Sequence, residues 1–296
     1  MVLQNLLNFK SSMKLTIISI LLILCFLYLV LEQNSKYYQD DVTLITALFK
    51  IKSKYKFENY LAWVKSFLKI NASMVFFIDK SIIKEVKALR PSIYQKKTIW
   101  IEMELQDFYS FKYYYKYFNE SHNKDYEKKI HSVPLYLVWA EKCYFVRRAI
   151  LRNYFKSHCF YWIDAGFFKN KNITKYFNNW PSKNKCIEDP RVIINSIRKI
   201  SNEEIQGLKK LDAKFYNEFI KKSNVGGGLF GGNEKYLQKF IKIYYKTIKI
   251  FLKNSLFIGK DQNLFAYIAY LNQDNIKIIH SGSWNYLAEY LYINKK

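Results

Sequence analysis

The chain has 296 residues, half of them hydrophobic, enough for one large core or two small ones and too apolar for a disordered chain. Its 48 Lys and Arg against 24 Asp and Glu give a formal charge of +24, a balance that attracts nucleic acid, anionic headgroups or acidic substrates; the lysines are spread over every segment without a basic arm, which argues for a diffuse solvated surface and against a nucleic-acid partner. The 26 Tyr and 23 Phe, with abundant Lys and Asn, read as the bias of AT-rich coding, and that background dilutes any single aromatic or basic signal.

Residues 1–14 carry Lys10 and Lys14 and no acid, and residues 16–31 (TIISILLILCFLYLVL) are an unbroken apolar run. Such a run stands near the ~17-residue lower limit for a membrane span. No small-x-small cleavage site follows it, and Glu32, Asp40 and Asp41 lie beyond it. The positive-inside rule then keeps the N-terminus cytosolic. The predicted plan is a cytosolic tail over 1–14, a transmembrane signal anchor over 15–31, a short stem over 32–41 and one exported domain over 42–296. That is a type II single-pass protein, facing the Golgi or endoplasmic reticulum lumen in a eukaryote, or on the cell membrane in a bacterium. Sequons at Asn71, Asn119 and Asn172 hardly exceed what an Asn-rich chain produces by chance.

From Val42 apolar runs alternate with amphipathic ones. VTLITALF (42–49), MVFFID (74–79) and TIWIEM (98–103) read as strands, FENYLAWVKSFLK (57–69) and SIIKEVKAL (81–89) as the helices between them. This order argues for a parallel α/β sheet with right-handed crossovers. DFYSFKYYYKYF (107–118) is an aromatic helix candidate. A long helix opens at Pro134, with Glu141, Lys142, Arg147 and Arg148 expected outside its apolar faces. CFYWIDAGFF (159–168) is a short buried strand ending in Asp164, with Ala165 and Gly166 behind it. An acid there either opens a turn or meets a ligand, since ligands sit at the carboxyl ends of parallel strands. RVIINSI (191–197) reads as a strand, and Ser201 caps a following helix. Five of the nine glycines fall at 226–232, a flexible stretch before a long helix from Glu234; a further helix opens at Asp261–Gln262, and a last strand ends in His280. Cys25, Cys143, Cys159 and Cys186 form no metal spacing, and buried thiols are favoured over a disulfide.

Asp79, Asp164, Asp261 and His280 thus fall at predicted strand ends or helix starts. Mg²⁺ or Mn²⁺ takes one or two carboxylates with substrate phosphate oxygens, and histidine suits Mn²⁺, so Asp164 and His280 are the candidate metal ligands. His122, His131 and His158 show no partner spacing. No G-x-S-x-G elbow supports a hydrolase triad.

WIDAGFF, with VTLITALF, MVFFID, LVWAEKCYFVRRAI, GGLFGG and GKDQNLFAYI in this order, resembles the HtrL/YibB family from about residue 42 to 284. That family is similar in turn to GT-A-type glycosyltransferases. The resemblance implies a Rossmann-like mixed sheet flanked by helices in a single domain, binding a nucleotide sugar. It implies that Thr46 and Ala47 face the nucleotide and that Asp79 lies near its base or ribose. Lys142 of the Trp139-x-Glu141-Lys142 element would contact phosphate, and Asp164 would stand for the metal-binding Asp-x-Asp. Gly231 and Gly232 would lie beside the acceptor, and Asp261 with Gln262 near the reacting sugar, Asp261 being the base if the anomeric centre inverts. Only one acid of Asp-x-Asp is present, so Lys142, Arg147 or Arg148 could instead neutralise the diphosphate. The expected function is a membrane-anchored, metal-assisted transfer from a nucleotide sugar to a glycan, lipid or protein hydroxyl. The alternative is an anchored binding protein that has lost the chemistry.

Overall fold

The structure, a computed structural model, describes Ser19–Ile20 and residues 40–292 apart from 170, 171, 179 and 223. The chain divides into residues 1–38 and 39–296. The expected anchor over 15–31 lies outside the described residues save for Ser19 and Ile20, which are helical, and the stem lies outside them up to residue 39. No helix among the described residues is long and apolar enough to cross a membrane.

In the second unit β1 (Val42–Leu48), α1 (Phe57–Phe67), β2 (Ser73–Asp79), α2 (Ile83–Ala88) and β3 (Thr98–Met103) alternate as expected. Two successive helices, α3 (Tyr109–His122) and α4 (Val133–Arg152), then lead to β4 (Cys159–Ile163). The remainder is α5 (Lys183–Glu188), β5 (Val192–Ser196), α6 (Asn202–Lys210), α7 (Ala213–Phe219), β6 (Val225–Asn233), α8 (Glu234–Lys253), α9 (Asp261–Leu271), β7 (Ile276–His280) and α10 (Tyr286–Tyr290). The strands form one seven-stranded sheet in the order β3-β2-β1-β4-β6-β5-β7. β6 runs antiparallel to β4 and β5, while the other pairs are parallel. The domain is therefore mixed α/β, helices on both faces of one sheet.

The apolar runs are uninterrupted because both faces are covered. Alternate residues of the central strands enter opposite cores. Ile45, Val75, Phe77, Phe160 and Trp162 pack with α3, α4, α8 and α9, whereas Leu44, Met74, Phe76, Tyr161 and Ile163 pack with α1 and α10. Pro134 opens α4 and Ser201 caps α6 in a reciprocal box with Glu204, as their sequence positions predict.

Two expectations are corrected. The glycine stretch is not a loop but strand β6, buried between neighbours too close for side chains: a Cβ on Gly231 would stand 2.3 Å from the Phe160 carbonyl oxygen. And Cys159 and Cys186 form a disulfide, their Cα atoms 6.3 Å apart across 27 residues of chain. The return of α5 to the sheet creates this pair, which no local spacing announces. Cys143 is the free, buried thiol among the described residues.

Candidate functional site

The sheet changes direction at β1 and β4. From β1 the chain builds outward to β2 and β3, then crosses to β1's other edge as β4. The carboxyl ends of these two strands diverge into loops and leave a crevice, the usual ligand position in open α/β sheets. A cavity of about 530 Å³ opens there, bordered by Ala47–Phe49 at the end of β1 and by Trp162, Asp164 and Gly166 at the end of β4.

Three charged side chains meet at its floor. Lys142 projects from the face of α4 that also sends Leu135, Val138 and Trp139 into the cavity, the three-to-four residue repeat of one helical stripe. Its Nζ lies 2.9 Å from Asp164 Oδ1 and 2.7 Å from Asp261 Oδ2, and donates to the Gly227 carbonyl at 3.1 Å. Lys142 and Asp261 are buried, whereas the Asp164 side chain is 37% exposed. Trp162 Nε1 donates to Asp164 Oδ1 at 2.7 Å, and the Gln262 amide donates to Asp261 Oδ1 at 2.8 Å. Burial alone would lower the Lys142 pKa, but the two carboxylates outweigh it and raise it, so the ammonium stays charged. Burial, with Asp164 nearby, raises the Asp261 pKa against the pull of Lys142. Oδ2 of Asp164 is left facing the cavity side of Gly228, where a Cβ would come within 3.3 Å of it.

β6 builds part of this floor. Its pairing with β5 jumps from Ile194↔Phe230 to Asn195↔Gly226, so Gly227, Gly228 and Leu229 arch out of register. The arch aims the Gly227 carbonyl at Lys142 and lets the Gly228 carbonyl accept from the Asp164 amide at 2.8 Å. A Cβ on Gly227 would stand 2.7 Å from Asp261 Oδ2. Irregularities of this kind concentrate beside functional sites.

Tyr55, Tyr60 and Trp63 line one wall, edge to face at 5.1 to 6.3 Å. Gly166 permits it, since a Cβ there would lie 3.0 Å from the Trp63 ring. Five lysines (Lys54, Lys142, Lys169, Lys222 and Lys260) line the cavity against three carboxylates, Glu127, Asp164 and Asp261.

Of the expected site residues, Asp164, Lys142, Asp261, Gln262 and Ala47 converge on this cavity. The others do not. Thr46 is fully buried with no partner for its hydroxyl among the described residues. Asp79 closes a turn, accepting from Lys50 N, Ser81 N and Ser81 Oγ. Gly231 and Gly232 are packing positions in β6, a Cβ on Gly232 meeting the Arg191 carbonyl at 2.6 Å. His280 ends β7, the strand at the sheet's far edge, and is not brought to Asp164. Arg147 and Arg148 do not line the cavity; Arg148 lies over the Phe77 ring. Glu141 and Lys142 are buried instead of decorating α4. Glu141 accepts from the Tyr109 and Ser110 amides at the start of α3, and burial pushes its pKa up to about 7.

The lining also includes members of a group without a sequence signal. Asp125, Glu127 and His131, in the connection between α3 and α4, lie within 4.8 Å of one another. His131 Nδ1 is 2.7 Å from Asp125 Oδ2, which also accepts from the Tyr136 hydroxyl; Asp125 Oδ1 accepts from the Glu127 amide at 2.8 Å. Lys260 contacts Glu127. A cation could bridge three such groups, but both Asp125 oxygens and Glu127 are already committed, so the set fits an internally bonded cluster better than a metal centre.

A layered α/β domain with a charged, aromatic-walled crevice at its switch point is the class of protein these features define. Residues 40–290 match the family described as "Bacterial protein of unknown function (HtrL_YibB)", and the chain belongs to this HtrL/YibB family. No curated protein matches it.

Proposed function

We propose that the protein is a membrane-anchored glycosyltransferase whose sheet is of the Rossmann-like GT-A type. The observation that carries this reading is the buried ammonium of Lys142 between Asp164 and Asp261 at the floor of the switch-point crevice. The aromatic wall suits a base or sugar ring, and the surplus of lysines suits a diphosphate. As the bond between sugar and diphosphate breaks, charge grows on the leaving phosphate; Lys54 and Lys169 on the lining are the cations that would stabilise it, while Lys142 fixes Asp164 and Asp261 at the floor. The residues do not fit the expected Asp164–His280 metal pair, and Lys142 occupies the space between the two acids; no step here runs through a metal. The disulfide agrees with an exported domain, because such bonds persist in oxidising compartments.

A second reading, binding without transfer, is favoured by one fact: Asp261 is buried and committed to Lys142, so it is poorly placed to accept a proton from an acceptor hydroxyl. One experiment separates the two. Full-length protein in mild detergent is mixed with a panel of uridine and guanosine diphosphate sugars, with manganese or with chelator. Binding at a hundredfold excess over Kd stabilises by about 2.7 kcal/mol, read as a rise in Tm, and release of nucleoside diphosphate reports transfer or hydrolysis. Stabilisation without release selects the binding protein; neither effect with any donor ends the nucleotide-sugar reading.

A further inference from the structure

We infer that His131 is the proton acceptor of this crevice, with Asp125 as the residue that positions it. Asp125 is 3% exposed and takes hydrogen bonds from both the Tyr136 hydroxyl and the Glu127 amide. A carboxyl that accepts from every side is ionised, so the remaining contact requires His131 Nδ1 to be the N–H donor. In the neutral imidazole this places the lone pair on Nε2. Glu127 Oε2 is 3.9 Å from Nε2, beyond hydrogen-bond distance. The His131 ring is held on its other side by the edge of Trp139, centroids 5.1 Å apart, and His131, Glu127 and Trp139 all border the cavity while Asp125 stands behind them. Lys260, in contact with Glu127, and Tyr126 stand at the same wall, and His122 Nε2 lies 3.1 Å from the His131 carbonyl oxygen. An imidazole oriented by a buried carboxylate, on the wall of a ligand cavity, is the arrangement general-base catalysis needs. Asp261, neutralised by Lys142, lacks that freedom.

This inference rests on the glycosyltransferase reading. In the step it assigns, the acceptor hydroxyl oxygen bonds to the anomeric carbon while its proton passes to His131 Nε2. The bond from that carbon to the diphosphate oxygen breaks, its electron pair leaving on the diphosphate among the lysines that line the cavity. The imidazolium then returns the proton to solvent, and water in place of the acceptor gives hydrolysis.

The test uses full-length protein and whichever uridine or guanosine diphosphate sugar the wild type hydrolyses or transfers. His131→Ala is expected to keep the donor-induced rise in Tm and to lose kcat by roughly 10²–10⁴-fold, with part of the rate restored by added imidazole. Asp125→Asn is expected to lower kcat at least tenfold with KM little changed. Wild-type kcat in His131→Ala overturns the inference and leaves the proposed function standing. A loss of kcat in His131→Ala that imidazole does not restore, together with unchanged kcat in Asp125→Asn, overturns it as well. Absence of both binding and turnover in the wild type overturns both together.

Discussion

Lys142 is the side chain on which the site's electrostatics turn. Removing one partner of a buried ion pair leaves the other charge uncompensated, at about 3–5 kcal/mol, and here one ammonium serves two acids. Lys142→Met is therefore expected to lower stability by about that amount in chemical denaturation, and adding Asp261→Asn should recover part of it. Asp164 is different because it is partly exposed. Asp164→Ala should cost about 1–2 kcal/mol in chemical denaturation, the loss of the Trp162 hydrogen bond and of one of the two acids that Lys142 serves. Asp125 sets a pH dependence. Burial raises its pKa, but hydrogen bonds from His131 and Tyr136 outweigh this and bring it from 3.8 down to about 2. A carboxyl depressed on folding contributes stability that is full above its unfolded value and is lost as pH falls through the folded one. Asp125→Asn should thus weaken the fall in stability between about pH 4 and 2, measured by denaturant titration at each pH.

At the scale of elements, β6 and α4 shape the crevice. Gly227→Ala should disturb binding more than stability elsewhere in β6 would suggest, because its Cβ would strike Asp261 Oδ2 at 2.7 Å; isothermal titration with the donor checks this. Most of the strands and helices were legible from apolar runs and their periods, since a strand covered on both faces has few polar positions. β6 was not, because glycine is depleted in strands and its reason for being there is the closeness of Phe160 and Tyr161, a tertiary fact. Asp164 and Asp261 could be picked out because each marks the end of a strand or the start of a helix, whereas Lys142 was singled out through the family resemblance alone, its charge having placed it outside the apolar faces of α4. Asp125 and His131 sit six residues apart in an irregular connection, where no period ties one side chain to another; the one available hint was an acid, a second acid and a histidine crowded into a short polar segment.

For the whole molecule, the Cys159–Cys186 bridge ties β4 to α5. With its ends 27 positions apart in the chain, the chain-entropy relation gives about 3.5 kcal/mol, so Cys186→Ser should lower Tm under non-reducing conditions and make it indifferent to reductant. The strand order has a consequence for biogenesis. β6 lies between β4 and β5, yet both are made before it. The sheet therefore cannot zip together in the order in which the ribosome delivers it. Two strands must wait side by side with bare edges, open to pairing with other chains, until the last third of the polypeptide arrives and slides its glycines into the gap.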